Sequence, residues 1–199
     1  MTTERGGNPS VERRTEIAKF TLQDKLYLLR RGFEFFTLYG RTIKSLISDG
    51  KPIGTYSTEV RPDFRDVPAL RSEVAINPKV LFLPNSNLKT FEQQQELVEK
   101  YSQELRARIN NPAFKAVIGE APDYVSLVMA YMKKHKGERL FGTKYNLDFA
   151  RTKTKRFKGD DYYINVGRFE DDGSLLFDHW KGDWRHFDLH AVPLIVPTA

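Results

Sequence analysis

Several groups of residues in this chain have the types and spacing to do chemistry. His186, Asp188 and His190 recur at every second position, the spacing that places side chains on one face of a strand. Two imidazoles and a carboxylate, joined by Asp178 or His179 from a neighbouring strand, form an adequate ligand set for iron or zinc with positions left for water. The intervening Phe187, Leu189 and Ala191 read as an inward face, so the polar residues also fit the outward face of a half-buried strand. The H-E-x-x-H pattern of a zinc protease is absent.

Glu120 and Asp123 lie where an apolar run gives way to a helix. Asn85, Ser86 and Asn87 follow another apolar run, and open α/β sheets bind ligands beyond the C-terminal ends of their strands. With Lys144 or Arg151 added, the carboxylates have the composition of an acid–base site or a Mg²⁺-dependent phosphodiesterase. Capping of the next helix is the competing role for Asp123. The acid-x-lysine that such a nuclease carries downstream is not supplied by Glu138-Arg139-Leu140.

The densest positive run is Arg151, Lys153, Lys155, Arg156 and Lys158. In an extended chain Arg151, Lys153 and Lys155 share one face and Thr152 and Thr154 the other. Such a stripe tracks phosphates, and the nearby Phe157, Tyr162 and Tyr163 are rings on which bases stack. A solvated basic edge that discourages edge-to-edge pairing explains the same pattern. Trp180 and Trp184 flank a tight turn beside Lys181 and Arg185, which suits a sugar or base platform or a cover for one end of the core. No glycine-rich phosphate loop is present, and Ser86, Ser126 and Ser174 lack a nucleophile-elbow context. No cofactor is therefore expected, apart from Mg²⁺ or another divalent metal if the chain is an enzyme.

The elements that must position these groups centre on 79–136. Lys79–Leu83 and Lys115–Ile118 read as short strands, with amphipathic helices after each, so a βαβα unit with parallel neighbouring strands is expected. Thr90 and Gln93 form a capping box for a helix over 90–109, where acids lead and bases follow. Residues 21–48 read as a long N-terminal helical segment with a broad aromatic face, interrupted at Gly32 and Gly40. Thr55–Val60 reads as extended, and Ser72–Ile76 as a strand. From Phe149 onward the period shortens. Tyr162–Phe169 and Ser174–Trp180, joined at Asp172-Gly173, read as a hairpin within an antiparallel meander, and Pro193 and Pro197 place the last strand at an edge or in a tail. The fold class is α/β, with α+β as the alternative: a mixed sheet in a single domain over 15–199, preceded by a disordered arm at 1–14.

With 199 residues, such a domain buries a core without staples. The absence of cysteine excludes disulfides, thiolate catalysis and cysteine-ligated zinc. Met1–Ser10 is polar with no apolar run behind it, so neither a signal peptide nor a membrane span is expected and the cytoplasm is the default location. A net charge of +6 and a pI near 9.4 favour a polyanionic partner. The leading expectation is a noncatalytic binding or assembly module whose basic face contacts nucleic acid or another acidic partner. The alternatives are a metal-dependent phosphodiesterase or nuclease and a structural homo-oligomer built on the aromatic segment 21–48.

Overall fold

A computed structural model describes residues 16–54, 62–142 and 148–198. The arm at 1–14, the extended segment at 55–60 and Lys144 lie outside the described residues. The fold is mixed α/β, with two four-stranded sheets and several helices. Among the described residues no helix is long and apolar enough to cross a membrane.

The segment 21–48 is not one long helix. It divides into α1 (Leu22–Leu29), β1 (Glu34–Tyr39) and α2 (Ile43–Ser48). Thr21 and Thr42 cap the two helices, each accepting a hydrogen bond from the backbone three residues on. Gly32 (φ +80°) ends the turn after α1 and Gly40 (φ +70°) ends the strand, both in backbone that favours glycine. A Cβ at Gly40 would also stand 2.7 Å from Arg71 Cγ. Between the glycines, the run Glu-Phe-Phe-Thr-Leu-Tyr is rich in aromatic and β-branched residues, and Phe36 and Leu38 alternate into the core.

The first sheet has the order β1-β2-β8-β3, with every neighbouring pair antiparallel. It comprises β2 (Arg71–Ile76), β3 (Phe114–Val117) and β8 (Leu194–Pro197) together with β1. The run Lys79–Leu83 supplies no strand to it. Pro78–Val80 is a 3-10 turn capped by the Asn77 side chain, so the expected parallel neighbours do not form. β2 and β3 both oppose β8 and hence run in the same direction, with β8 inserted between them. The helix α3 (Phe91–Arg106), with its Thr90–Gln93 capping box in place, joins them as a split crossover. The last strand is therefore interior rather than at an edge. Pro193 and Pro197 stand at its two ends, which leaves the amides of Leu194, Ile195 and Val196 for the ladder.

The second sheet contains the expected meander: β4 (Phe149–Lys155), β5 (Tyr162–Phe169) and β6 (Leu175–Lys181) pair antiparallel. It is a separate sheet, not an extension of the first. β7 (Leu189–His190) completes it by pairing parallel to β4.

Between the sheets lies α4 (Ala121–Lys134), which packs against β1, β4, β5 and α2. Its Tyr124, Val125, Leu127 and Val128 are fully buried against Val74, Ile76, Leu194, Ile164, Val166 and Phe177. Alternation sends Ala75 and Ile195 to the other face of the first sheet, against Leu28 of α1 and Phe91, Val98 and Leu105 of α3. The Tyr124 hydroxyl accepts from Gly119 N (3.1 Å) and donates to the Val192 carbonyl (2.6 Å), holding the passage from β7 to β8. Tyr124→Phe removes both bonds and leaves a buried donor and acceptor, so it is expected to lower unfolding free energy by about 1–3 kcal/mol in urea denaturation.

Candidate functional site

The second sheet carries the candidate chemistry, and its face turned away from α4 holds the polar residues at its centre. Register places Arg151 opposite Asn165 and Asn165 opposite Asp178, with Tyr163 opposite Trp180. The return segment 182–188 crosses this face. Arg151 binds it from beneath, donating from Nη1 to the Gly182 carbonyl (2.9 Å) and from Nη2 to the Trp184 carbonyl (2.8 Å). The guanidinium is fully buried, and that burial pushes its pKa down to about 10. The expected three-residue basic stripe is therefore incomplete. Lys153 and Lys155 are exposed, but Arg151 on the same face is covered by the return segment and serves as an internal clamp. Thr152 and Thr154 are buried on the opposite face. Thr152 donates to the Ile164 carbonyl, and Thr154 donates to Glu120 Oε2 (2.5 Å).

One end of this sheet is basic and aromatic. The Arg156 guanidinium lies 4.2 Å from the Tyr162 ring centre and 4.8 Å from that of Phe157, steered by a 2.8 Å bond from Nε to Asp160. Lys181 Nζ stands 5.8 Å from Tyr162 and Lys155 Nζ 5.5 Å from Tyr163. Tyr163 itself is buried and stacked on Phe91 at 4.1 Å, so its ring belongs to the core. Tyr162 and Phe157 are half-buried; Lys155, Lys158 and Lys181 are exposed, Lys181 beside Tyr162 and Lys155 beside Tyr163. Lys181, on a different strand from the basic run, is the member that sequence spacing does not connect to it; the hairpin register does.

The other end holds imidazoles and carboxylates. His186 lies against Trp180 (4.9 Å), Trp184 (6.4 Å) and Phe187 (4.6 Å). Its Nδ1 accepts from Asp188 N at 3.3 Å and stands 3.6 Å from Asp188 Oδ2. His190 turns instead to Asp148, with Nε2 3.1 Å from Oδ1, and its ring rests on Phe82 at 4.7 Å. The strand spacing of His186, Asp188 and His190 does not produce a common ligand set, because a turn closed by Leu189 N and the His186 carbonyl precedes β7. Among the described residues no three His, Asp or Glu side chains are arranged to hold a metal ion. Burial raises the pKa of both Asp178 and Asp188; the His179 amide opposes it at Asp178, and the His186 charge opposes it at Asp188. Trp180 also packs edge-on against Phe149 (5.5 Å), and Trp184 is half exposed. Asp148 and Arg168 are partners that spacing does not single out. Arg168 sits at a β-bulge after Gly167 and donates to Glu170 at 2.8 Å.

The loop carboxylates are engaged in helix capping. Asp123 is only 2% exposed, and it accepts from Glu120 N and from Leu70 N, both at 2.8 Å. Glu120 takes the Thr154 hydroxyl and lies 3.6 Å from Lys153 Nζ. Asn85 and Asn87 flank Ser86, whose hydroxyl accepts from Ala191 N, and Leu88 N donates to the His186 carbonyl. The asparagine loop is thus held by the 186–191 segment and the acids by β4 and Leu70. The shared strand edge expected to unite them depends on a strand at 79–83 that does not form.

Comparison with known protein families, curated proteins and solved structures finds no match for this chain.

Burial raises the pKa of Asp123 above the ordinary 3.8, against the Leu70 and Glu120 amides that lower it. The native state therefore takes up this proton at higher pH than the unfolded chain does. The unfolding free energy of the wild type minus that of Asp123→Asn should grow as pH falls through the native pKa and level off below 3.8, as measured by urea denaturation across pH.

Proposed function

We propose that the protein is a noncatalytic binding module that holds a polyanion, with single-stranded nucleic acid the class of best fit, on the basic and aromatic end of its second sheet. The observation that carries the reading is the gathering of Arg156 and Lys181 around the Tyr162 ring, with Lys155 against the neighbouring Tyr163 and Lys158 exposed. Cations held against aromatic faces have part of their positioning already done, and such cations neutralise phosphates. Phe157 offers a ring for stacking, an interaction tolerant of base identity. Nothing in the arrangement reads base edges, so sequence preference should be weak.

Anisotropy of a fluorescein-labelled oligothymidine, titrated at several salt concentrations, tests this. Binding should weaken steeply with salt. In Lys155→Ala with Lys181→Ala, the salt slope should fall by about 0.7 for each phosphate the protein no longer neutralises. Salt-insensitive binding, or none, refutes the proposal.

The His190–Asp148 pair favours a second reading, a phosphodiesterase or nuclease acting on the bound strand. A carboxylate beside an imidazole orients the ring, which suits proton transfer. Mg²⁺ or another divalent ion in this reading would be held by one or two carboxylates together with the phosphates of the bound strand. Cleavage of labelled RNA, abolished in His190→Ala with binding retained, is the expected result under it; an intact strand after long incubation with and without Mg²⁺ excludes it.

A further inference from the structure

The helix α1 is amphipathic in the reverse sense. Its buried side carries Asp24 and Leu28, and its outer side carries Leu22, Leu26 and Leu29, which are 74%, 48% and 53% exposed. Positions 22, 26 and 29 fall within one narrow arc of the helix, so the leucines form a continuous apolar stripe facing solvent. Beside the stripe runs a groove of about 590 Å³ lined by Leu22, Leu26, Tyr27, Arg30, Arg31 and Ile109. Its floor is rigid. The Tyr27 hydroxyl donates to the Leu105 carbonyl at 2.6 Å, its ring stacks on Phe114 at 6.1 Å, and the Arg31 guanidinium covers it at 3.7 Å. A second hollow begins at Arg31 and continues to Val80, Tyr101 and Arg108.

The charges decide what fits. Asp24, the acid of α1, is 1% exposed and takes the Thr21 hydroxyl, so it contributes nothing to the rim. Lys25 is paired with Glu73. Arg30, Arg31 and Arg108 are exposed along the groove, and among the described residues Glu104 is the one acid lining its continuation. An apolar trough with a basic rim complements a helix that has leucine-like residues on one face and carboxylates beside them. A second copy of this chain would bring arginine against arginine. A nucleic acid would leave the leucines wet. We infer that the α1 groove is a docking site for an acidic amphipathic helix of a partner protein. This site is separate from the polyanion face and does not depend on it.

The test uses the full chain and two helix-stabilised, fluorescein-labelled peptides about five turns long. One has leucine on one face and glutamate elsewhere; in the other, lysine replaces every glutamate. The glutamate peptide should bind and the lysine peptide should not. Leu26→Glu should weaken binding about tenfold or more, with the thermal melt unchanged because the side chain is outside the core. Arg30→Glu with Arg31→Glu should reverse the preference towards the lysine peptide. Equal binding of both peptides, or binding of neither, overturns the inference. So does a dimer in light scattering that Leu26→Glu dissolves, which would make a second copy the occupant. Sedimentation with phosphatidylserine vesicles that Leu26→Glu abolishes, with no peptide binding, would assign the groove to a lipid surface and likewise overturns it.

Discussion

A single buried cation holds the return segment 182–188 against the second sheet. Arg151 has no exposed surface and, among the described residues, no carboxylate within hydrogen-bonding reach; two backbone carbonyls on the return segment take Nη1 and Nη2, while the buried Nε has no partner among the described residues. Taking a guanidinium out of water is costly, and the cost is tolerable only where its N–H groups find fixed acceptors. One of those acceptors, the Gly182 carbonyl, also receives Phe91 N at the start of α3, and Gly182 N donates to the Asp161 carbonyl. Any side chain at 182 would strike Tyr163, whose ring edge lies 2.9 Å from where a Cβ would stand. One charge, one glycine and one aromatic ring therefore register β4, the return segment and α3 against one another.

That arrangement also distributes the positive charge. With Arg151 spent inside, Arg156 and Lys181 stand at one end of the second sheet around Tyr162, with Asp160 and His179 beside Arg156, while His186, Asp188, His190 and Asp148 lie along the return segment and β7. The two ends are joined by the return segment that Arg151 secures. The first sheet is tied in separately. Tyr124, rising from the helix between the sheets, holds the three residues over which the chain leaves β7 and enters β8.

How much of this is legible in the sequence depends on whether the deciding interaction is local. The Thr90–Gln93 box, the Asp172-Gly173 hairpin and the apolar helix after Pro122 are each specified within a few residues, and all form as their spacing implies. The segment 21–48 fails because its aromatic residues satisfy helical and extended periodicities alike, and only pairing with β2, over thirty residues away in the chain, selects the strand. Lys79–Leu83 fails for the opposite reason: it is apolar enough for a strand but finds no ladder. The site residues divide in the same way. Asp123 is recognisable as a cap from its position. The burial of Arg151 and the partnering of His190 with Asp148 come from a return segment whose path no periodicity records.

The place of β8 has a consequence for how the chain acquires its shape. This strand is made after all the other described strands, yet it lies between β2 and β3 and supplies the bonds that unite them. Without residues 194–197 the first sheet has no bonds between the β1–β2 pair and β3, and β2 and β3 each keep an edge that β8 would fill. Closure of that gap pairs β8 with β2, more than a hundred residues earlier in the chain, and long-range pairing of this kind is associated with slow folding.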